Sequence, residues 1–183
     1  MIAAEVDAPR GHLHQGAIYE GVPVLAFPKL ALALRPRHER DLSQLTVERV
    51  ADDETAFSGD DWAVAYAKRR PVVVLSPKRE LPHQIVRVLP MFSYRPDDFL
   101  ERNRARIENG EYPQLLHVTE NRGIGWGAGV ISLAAVIELP TEILAGSYVR
   151  GVVEACSLTD ASLALVIARL RAYLTLMDRG RPS

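Results

Sequence analysis

Cysteine is almost missing from this chain: Cys156 stands alone in 183 residues, so no disulfide can form within it. A lone thiol suits a reducing compartment. An excess of charge of one sign is missing too. Lys and Arg total 22 against 23 Asp and Glu, a formal net charge of -1. No global basic field therefore exists to coat nucleic acid nonspecifically, although a local basic cleft is compatible with that balance. No apolar run reaches the roughly eighteen residues that a membrane helix requires. The opening Met1-Ile2-Ala3-Ala4-Glu5-Val6-Asp7 lacks a basic-then-apolar leader. The expectation is a cytoplasmic protein with no membrane segment. Repeats and low-complexity tracts are absent, and so are paired carboxylates and a Ser/His/Asp spacing. The strands and helices do not alternate as βαβ units, which argues against a doubly wound sheet.

Apolar residues make up 48% of the chain, enough for a proper core, and the length is that of about one domain. The centre is Arg69-Arg70-Pro71-Val72-Val73-Val74-Leu75-Ser76-Pro77. β-branched side chains are stiff and fit a pleated surface, so residues 72–75 predict a strand buried on both faces. Pro71 has no N–H to donate and is expected at its first residue, with Pro77 closing it. Two arginines then stand at the mouth of a rigid strand. A guanidinium stays charged and presents a fork suited to phosphate, so the pair reads either as an anion site or as a solvated strand end.

Residues 1–15 read as irregular. His12 and His14 form a His-x-His pair, but no Cys or acidic partner sits at ligand spacing, so neither a metal nor another cofactor is expected. Residues 16–19 start a first strand, and residues 22–27 either continue it or form a second. Leu30, Leu32 and Leu34 alternate and suggest a strand or hairpin arm. Residues 41–61 are acidic and read as a long excursion, and residues 62–66 alternate again. Residues 85–90 form a second strong strand, close enough to the first for a hairpin. Pro96, Asp97 and Asp98 open a helix that runs to about Asn109, where Gly110 stops it. Its Arg102, Arg104 and Arg106 face Glu101 and Glu108 as a solvated surface. Residues 115–118 form a short strand. Gly123, Gly125, Gly127 and Gly129 recur at every second residue with a strand after them, which reads as a turn or bulge and not as a nucleotide fingerprint. Residues 130–139 form the last long strand. Ser157 caps a C-terminal helix, with Asp160 three residues on and Leu158, Leu163, Val166, Ile167, Leu170 and Leu174 at helical spacing. The whole predicts a small, coiled β-barrel covered by helices.

In order along the chain, these features resemble the MazF/PemK family of toxins from toxin–antitoxin pairs. Gly16-Ala17-Ile18-Tyr19 resembles the family's opening G-D-[IV]-[YW] strand, and Arg70-Pro71-Val72-Val73-Val74-Leu75-Ser76 its R-P-[VA]-[LV]-V-[LI]-S. Val88-Leu89-Pro90-Met91-Phe92-Ser93 is similar to V-x-P-[IL]-T-[ST]. Tyr112-Pro113 with His117-Val118 is similar to L-P-x-H-V, with extra residues between. Residues 130–133 and 157–174 resemble its last strand and C-terminal helix. The resemblance covers about residues 16–20 and 68–175.

It implies a mainly β fold, a small barrel of the SH3 type with a helix after the second strong strand and another at the C-terminus. It implies one domain over residues 1–183 with an inserted excursion around 28–62. It further implies a homodimer, a cognate antitoxin as partner, and metal-independent cleavage of single-stranded RNA through attack of the 2′-hydroxyl on the adjacent phosphate. Arg70 matches the family's catalytic arginine and would stabilise the phosphorane, and Ser93, beside the family's catalytic Thr/Ser position, would donate to a phosphate oxygen. Lys68, Arg69, Ser76 and His117 are the expected RNA-binding residues. Three departures motivate a second reading, a binding module on the same fold that holds a protein or nucleic-acid partner without catalysis, and the first is the long excursion through residues 41–61 in place of the family's G-[ST]-E-Q loop. Phe92 occupies the site best aligned with the family's Thr/Ser, and Ile137 stands where the family often carries an arginine.

Overall fold

The computed structural model describes residues 2–25, 31–36, 45–50, 62–64, 67–77, 85–144 and 151–179. The strands in chain order are β1 (Ala3–Ala4), β2 (Val6–Asp7), β3 (Ala17–Leu25), β4 (Ala31–Pro36), β5 (Leu45–Val50) and β6 (Trp62–Val64). They continue as β7 (Ala67–Val74), β8 (Ile85–Ser93), β9 (Leu115–Val118), β10 (Gly129–Ser132), β11 (Ile137–Pro140) and β12 (Val153–Leu158). The helices are α1 (Phe99–Arg102), α2 (Arg104–Glu108), α3 (Thr141–Leu144) and α4 (Asp160–Arg179). Contacts divide the chain into two compact units, residues 1–22 with 69–183 and residues 23–68.

In the first unit the strands run in the order β1-β9-β10-β8-β7-β3-β12-β2, with β11 also paired to β8. The two ends of that order, β1 and β2, are neighbours in sequence with only Glu5 between them. One short extended segment therefore pairs with β9 on one side and β12 on the other, and bends the sheet into a nearly closed barrel. The Glu5 peptide belongs to neither ladder. Its N–H donates to Ser162 Oγ at 2.7 Å, and its carbonyl accepts from the Thr159 N–H at 3.2 Å. The start of α4 thus satisfies backbone groups that the closing bend leaves over.

Inward side chains alternate along the strands. Ile18, Val73, Leu89, Met91, Leu116, Val118, Ile131 and Leu158 share the core with Val166 of α4. Full burial of one such Val or Leu stabilises by about 1.5–3 kcal/mol. Val72, Val74, Val86 and Val88, on the opposite parity, are also inaccessible, so β7 is covered on both faces at Val72 to Val74 as its sequence predicts, and β8 from Val88 to Met91, while Ile85 and Arg87 are exposed. The fold class is the expected one: mainly β, barrel-like, with a C-terminal helix.

Several local expectations change. The N-terminal segment, read as irregular, supplies the two strands that close the barrel. Pro71 lies inside β7 and not at its start, yet the β7–β8 ladder begins at Val72, opposite Pro90, just past the residue that cannot donate. The turn that would join β7 and β8 lies outside the described residues. The helix expected from Pro96 begins later. Asp98 is its N-cap, its carboxylate accepting from the Glu101 N–H at 2.8 Å, and Asn103 divides it into α1 and α2. Residues 130–139 are two strands. Continued from β10, the register would put Ala134 opposite Val88, but Ile137 stands there, three residues later. Leu133 turns into the core at that step. The last strand is β12, which runs through Ser157. Thr159 replaces Ser157 as the helix cap, its Oγ1 accepting from the Ser162 N–H at 3.2 Å.

The second unit contains a three-stranded antiparallel sheet, β5-β4-β6. Leu34 of β4 pairs with Val47 of β5 and Trp62 of β6, so the alternation at Leu32 and Leu34 does mark a hairpin arm, with Leu30 outside the described residues. Most of the acidic stretch 41–61 lies outside the described residues.

Candidate nucleic-acid interface

Strand pairing assembles the site. Phe92 pairs with Val130 of β10, and the β7–β8 register, continued two residues beyond Val72 and Pro90, sets Arg70 opposite Phe92. The Arg70 guanidinium carbon lies 4.5 Å from the Phe92 ring centroid. A cation stacked on a ring is stabilised by about 0.5–1 kcal/mol at an exposed site, and more where water is excluded. Arg70 has no carboxylate partner among the described residues. Partial burial pulls its pKa below the ordinary value, and the neighbouring cation Arg95 pulls it the same way. Two arginines thus stand close together with no carboxylate paired to them among the described residues.

Phe92 and Pro71 also border an open cleft of about 310 Å³. Phe92, Ser93 and Tyr94 form one wall, and residues 125–129 with Trp126 form the other. Glu20 and Pro71 line it as well. The glycine-rich wall is the predicted turn. Gly125 adopts a φ of 72°, which glycine tolerates and most side chains do not, and Asn121 and Trp126 form a bridge that closes the loop. The Trp126 indole N–H is buried and has no acceptor among the described residues.

Tyr94 is the best-connected wall residue. Its hydroxyl lies 2.8 Å from His117 Nδ1, with the two ring centroids 5.7 Å apart. The other imidazole nitrogen lies 3.8 Å from the Glu108 carboxylate. Arg104 stacks on the Tyr94 ring at 4.8 Å and bonds Glu108 at 2.9 Å. Burial, aided by the Glu108 charge and opposed by Arg104, pushes the phenol up to about 12. Burial lowers the His117 pKa, with Glu108 opposing and Arg104 adding to it, which favours a neutral imidazole at pH 7.

The residues singled out from the sequence are distributed as follows. Arg70 and Ser93 both reach this region, but from different faces. Strand alternation turns Ser93 away from the side that carries Arg70 and Phe92, and Ser93 meets the cleft at the end of β8, opposite Gly129. Arg69 is exposed on β7, and Lys68, also exposed, belongs to the second unit. Ser76 is not on the cleft. It is buried, and its Oγ accepts from the Arg87 N–H at 2.9 Å. His117 is buried behind Tyr94. Ile137 pairs with Val88 and does not line the cleft. His14 Nε2 lies 3.1 Å from Ser157 Oγ, and Glu154 accepts from the Arg10 and Gly11 N–H groups at 2.9 and 3.0 Å, so this cluster ties residues 10–14 to β12.

Sequence reasoning missed Tyr94 and Glu20. Period two along β8 could have found Tyr94, since it shares parity with Phe92. Nothing local marks Glu20, which reaches the cleft through the β3–β7 pairing.

No family model matches this chain, and no curated protein matches it. Among solved structures it is similar to a chain of the MazE–MazF crystal structure (form III) from Deinococcus radiodurans. That likeness covers 89% of this chain and 96% of that one, at 16% identity and a TM-score of 0.44.

Proposed function

We propose that the cleft holds single-stranded RNA and that the protein is the toxin of a toxin–antitoxin pair, a metal-independent endoribonuclease. One observation carries this reading: the Arg70 guanidinium, stacked on Phe92 beside Arg95, has no carboxylate to neutralise it among the described residues. An uncompensated cation on an aromatic platform suits a ligand that is both anionic and planar in parts, as a phosphate chain bearing bases is.

The chemistry of 2′-hydroxyl attack needs a proton acceptor, a proton source for the departing 5′-oxygen, and donors for the charge on the phosphorane. The cleft offers a carboxylate at Glu20 and hydroxyls at Ser93 and Tyr94, and Arg70 adds a cation stacked on its Phe92 wall. In this reading Glu20 takes the 2′-proton, Arg70 stabilises the developing charge, and Ser93 donates to a phosphate oxygen. A cognate antitoxin, a homodimeric assembly and a cytoplasmic location belong to the same reading and rest on the sequence resemblance. So does the view of residues 28–62 as an insertion in one functional domain.

The test is incubation of purified protein with a long single-stranded RNA in chelator. Cleavage leaving 2′,3′-cyclic phosphate ends is expected, and Arg70→Ala should slow it by about 10²–10³, the loss typical of one charge-stabilising donor. Intact RNA would overturn the nuclease. A second reading, a binder without catalysis, is favoured by Phe92 at the expected hydroxyl position and by Ile137 lying away from the cleft. RNA that is retained by the protein and recovered uncut would select it.

A further inference from the structure

Resting on the groove reading above, we propose that Tyr94 is the hydroxyl that binds a phosphate of the RNA chain. Buried His117, backed by Glu108, is the positioning residue that decides whether Tyr94 donates outward. The three groups form a continuous line: Glu108 carboxylate, 3.8 Å to His117 Nε2, then 2.8 Å from Nδ1 to the Tyr94 oxygen. Of the three, only Tyr94 lines the cleft. Tyr94 lines the cleft and also a second depression that contains Pro96, Arg104 and Glu120, whereas His117 is 3% exposed.

A phenol has one proton to donate. With His117 neutral and its proton on Nε2, facing Glu108, Nδ1 is an acceptor and Tyr94 donates inward. The phenol then offers the cleft lone pairs, which repel a phosphate oxygen. With His117 doubly protonated, Nδ1–H donates to the Tyr94 oxygen and Nε2–H faces the carboxylate. The Tyr94 proton is then free to point at the phosphate. Phosphate binding therefore draws one proton from solvent onto the imidazole, with no covalent bond made or broken. The charged and titratable groups facing His117 are Glu108 and Arg104 from α2 and Tyr94 after β8. Its ladder neighbours, Ala3 of β1 and Val130 of β10, carry no charge. Burial keeps the free imidazole below its ordinary 6.5, so the uptake occurs from a neutral ring at pH 7. Glu108 is placed to hold the extra charge once it arrives.

The experiment measures binding of a fluorescently labelled single-stranded RNA oligonucleotide to the full chain, from about pH 5.5 to about pH 8 at fixed salt. Calorimetry in two buffers of different ionisation enthalpy counts the protons. Wild type is expected to take up about one proton and to bind more tightly as pH falls. Tyr94→Phe should lose about tenfold in affinity, the value of one hydrogen bond to a charged oxygen, and take up no proton. His117→Asn, whose amide does not titrate in this range, should bind with an affinity that no longer changes with pH and take up no proton. A merely structural His117 would not move that proton count. Equal affinity for Tyr94→Phe, or equal proton uptake for His117→Asn, overturns the inference while RNA binding that depends on Arg70 leaves the groove standing. Wild type that binds no RNA overturns both.

Discussion

Replacing Ser162 by Ala should open the seam of the barrel. Ser162 Oγ accepts from the Glu5 N–H at 2.7 Å and from the Thr159 hydroxyl at 2.8 Å, and the side chain is 4% exposed. Alanine leaves both donors without an acceptor, at the peptide that carries the chain from β1 to β2. A hydrogen bond contributes about 0.5–1.5 kcal/mol net, and a buried donor left bare costs about 1–3 kcal/mol. Because the Glu5 amide is only partly buried, about 2 kcal/mol for the pair is the reasoned total. For a chain of this size that lowers the melting temperature by roughly 4–8 °C. Calorimetry reads the shift, and amide hydrogen exchange localises it: Glu5 protection should fall by about thirtyfold, with β7 and β8 little affected beyond the global change. An unchanged melting temperature together with unchanged exchange at Glu5 would refute the claim that α4 holds the closing segment.

Two other perturbations test the packing. Gly21 has a φ of 72°, and a Cβ there would stand 2.2 Å from the Gly151 carbonyl oxygen, a backbone atom that cannot swing aside. Gly21→Ala should therefore destabilise by more than about 2 kcal/mol, measurable by denaturant unfolding. A neutral effect would mean that the β3–β12 crossing is looser than described. Cys156 is inaccessible, and burial, followed by the charges of Glu20 and Glu154, pushes its thiol up to about 12. A raised thiol pKa holds the inert, protonated form across neutral pH and costs stability only as pH climbs above the unfolded value of 9.0. A thiol reagent at about pH 8 should label the unfolded chain promptly and the native chain only at its rate of opening. Prompt native labelling would contradict that burial.

How far the chain could be read in advance varies by element. The run Val72-Val73-Val74 and the apolar 85–90 stretch declare themselves because β-branched and apolar residues have few other conformations to favour, and the structure has β7 and β8 there, the latter running on to Ser93. The helical spacing from Leu163 to Leu170 likewise carries α4. Strand β12 was hidden because Val153-Glu154-Ala155-Cys156-Ser157-Leu158 contains a bulge between Glu154 and Cys156 that breaks its period. Residues 3–7 are too short to announce a strand, and become one only because two sheet edges wait for them.

The sequence by itself determined that the core strands exist, that a helix follows them, and that a cationic pair stands just ahead of the Val72-Val73-Val74 run. These are local facts of side-chain shape and period. Only tertiary structure decided that the barrel closes through a five-residue segment, that Arg70 meets Phe92 and not Ser93, and that Tyr94 stands in front of His117 and Glu108. Each of those depends on register between strands distant in sequence. A register is chosen by the whole set of pairings at once, because a slip of one residue turns every side chain to the other face.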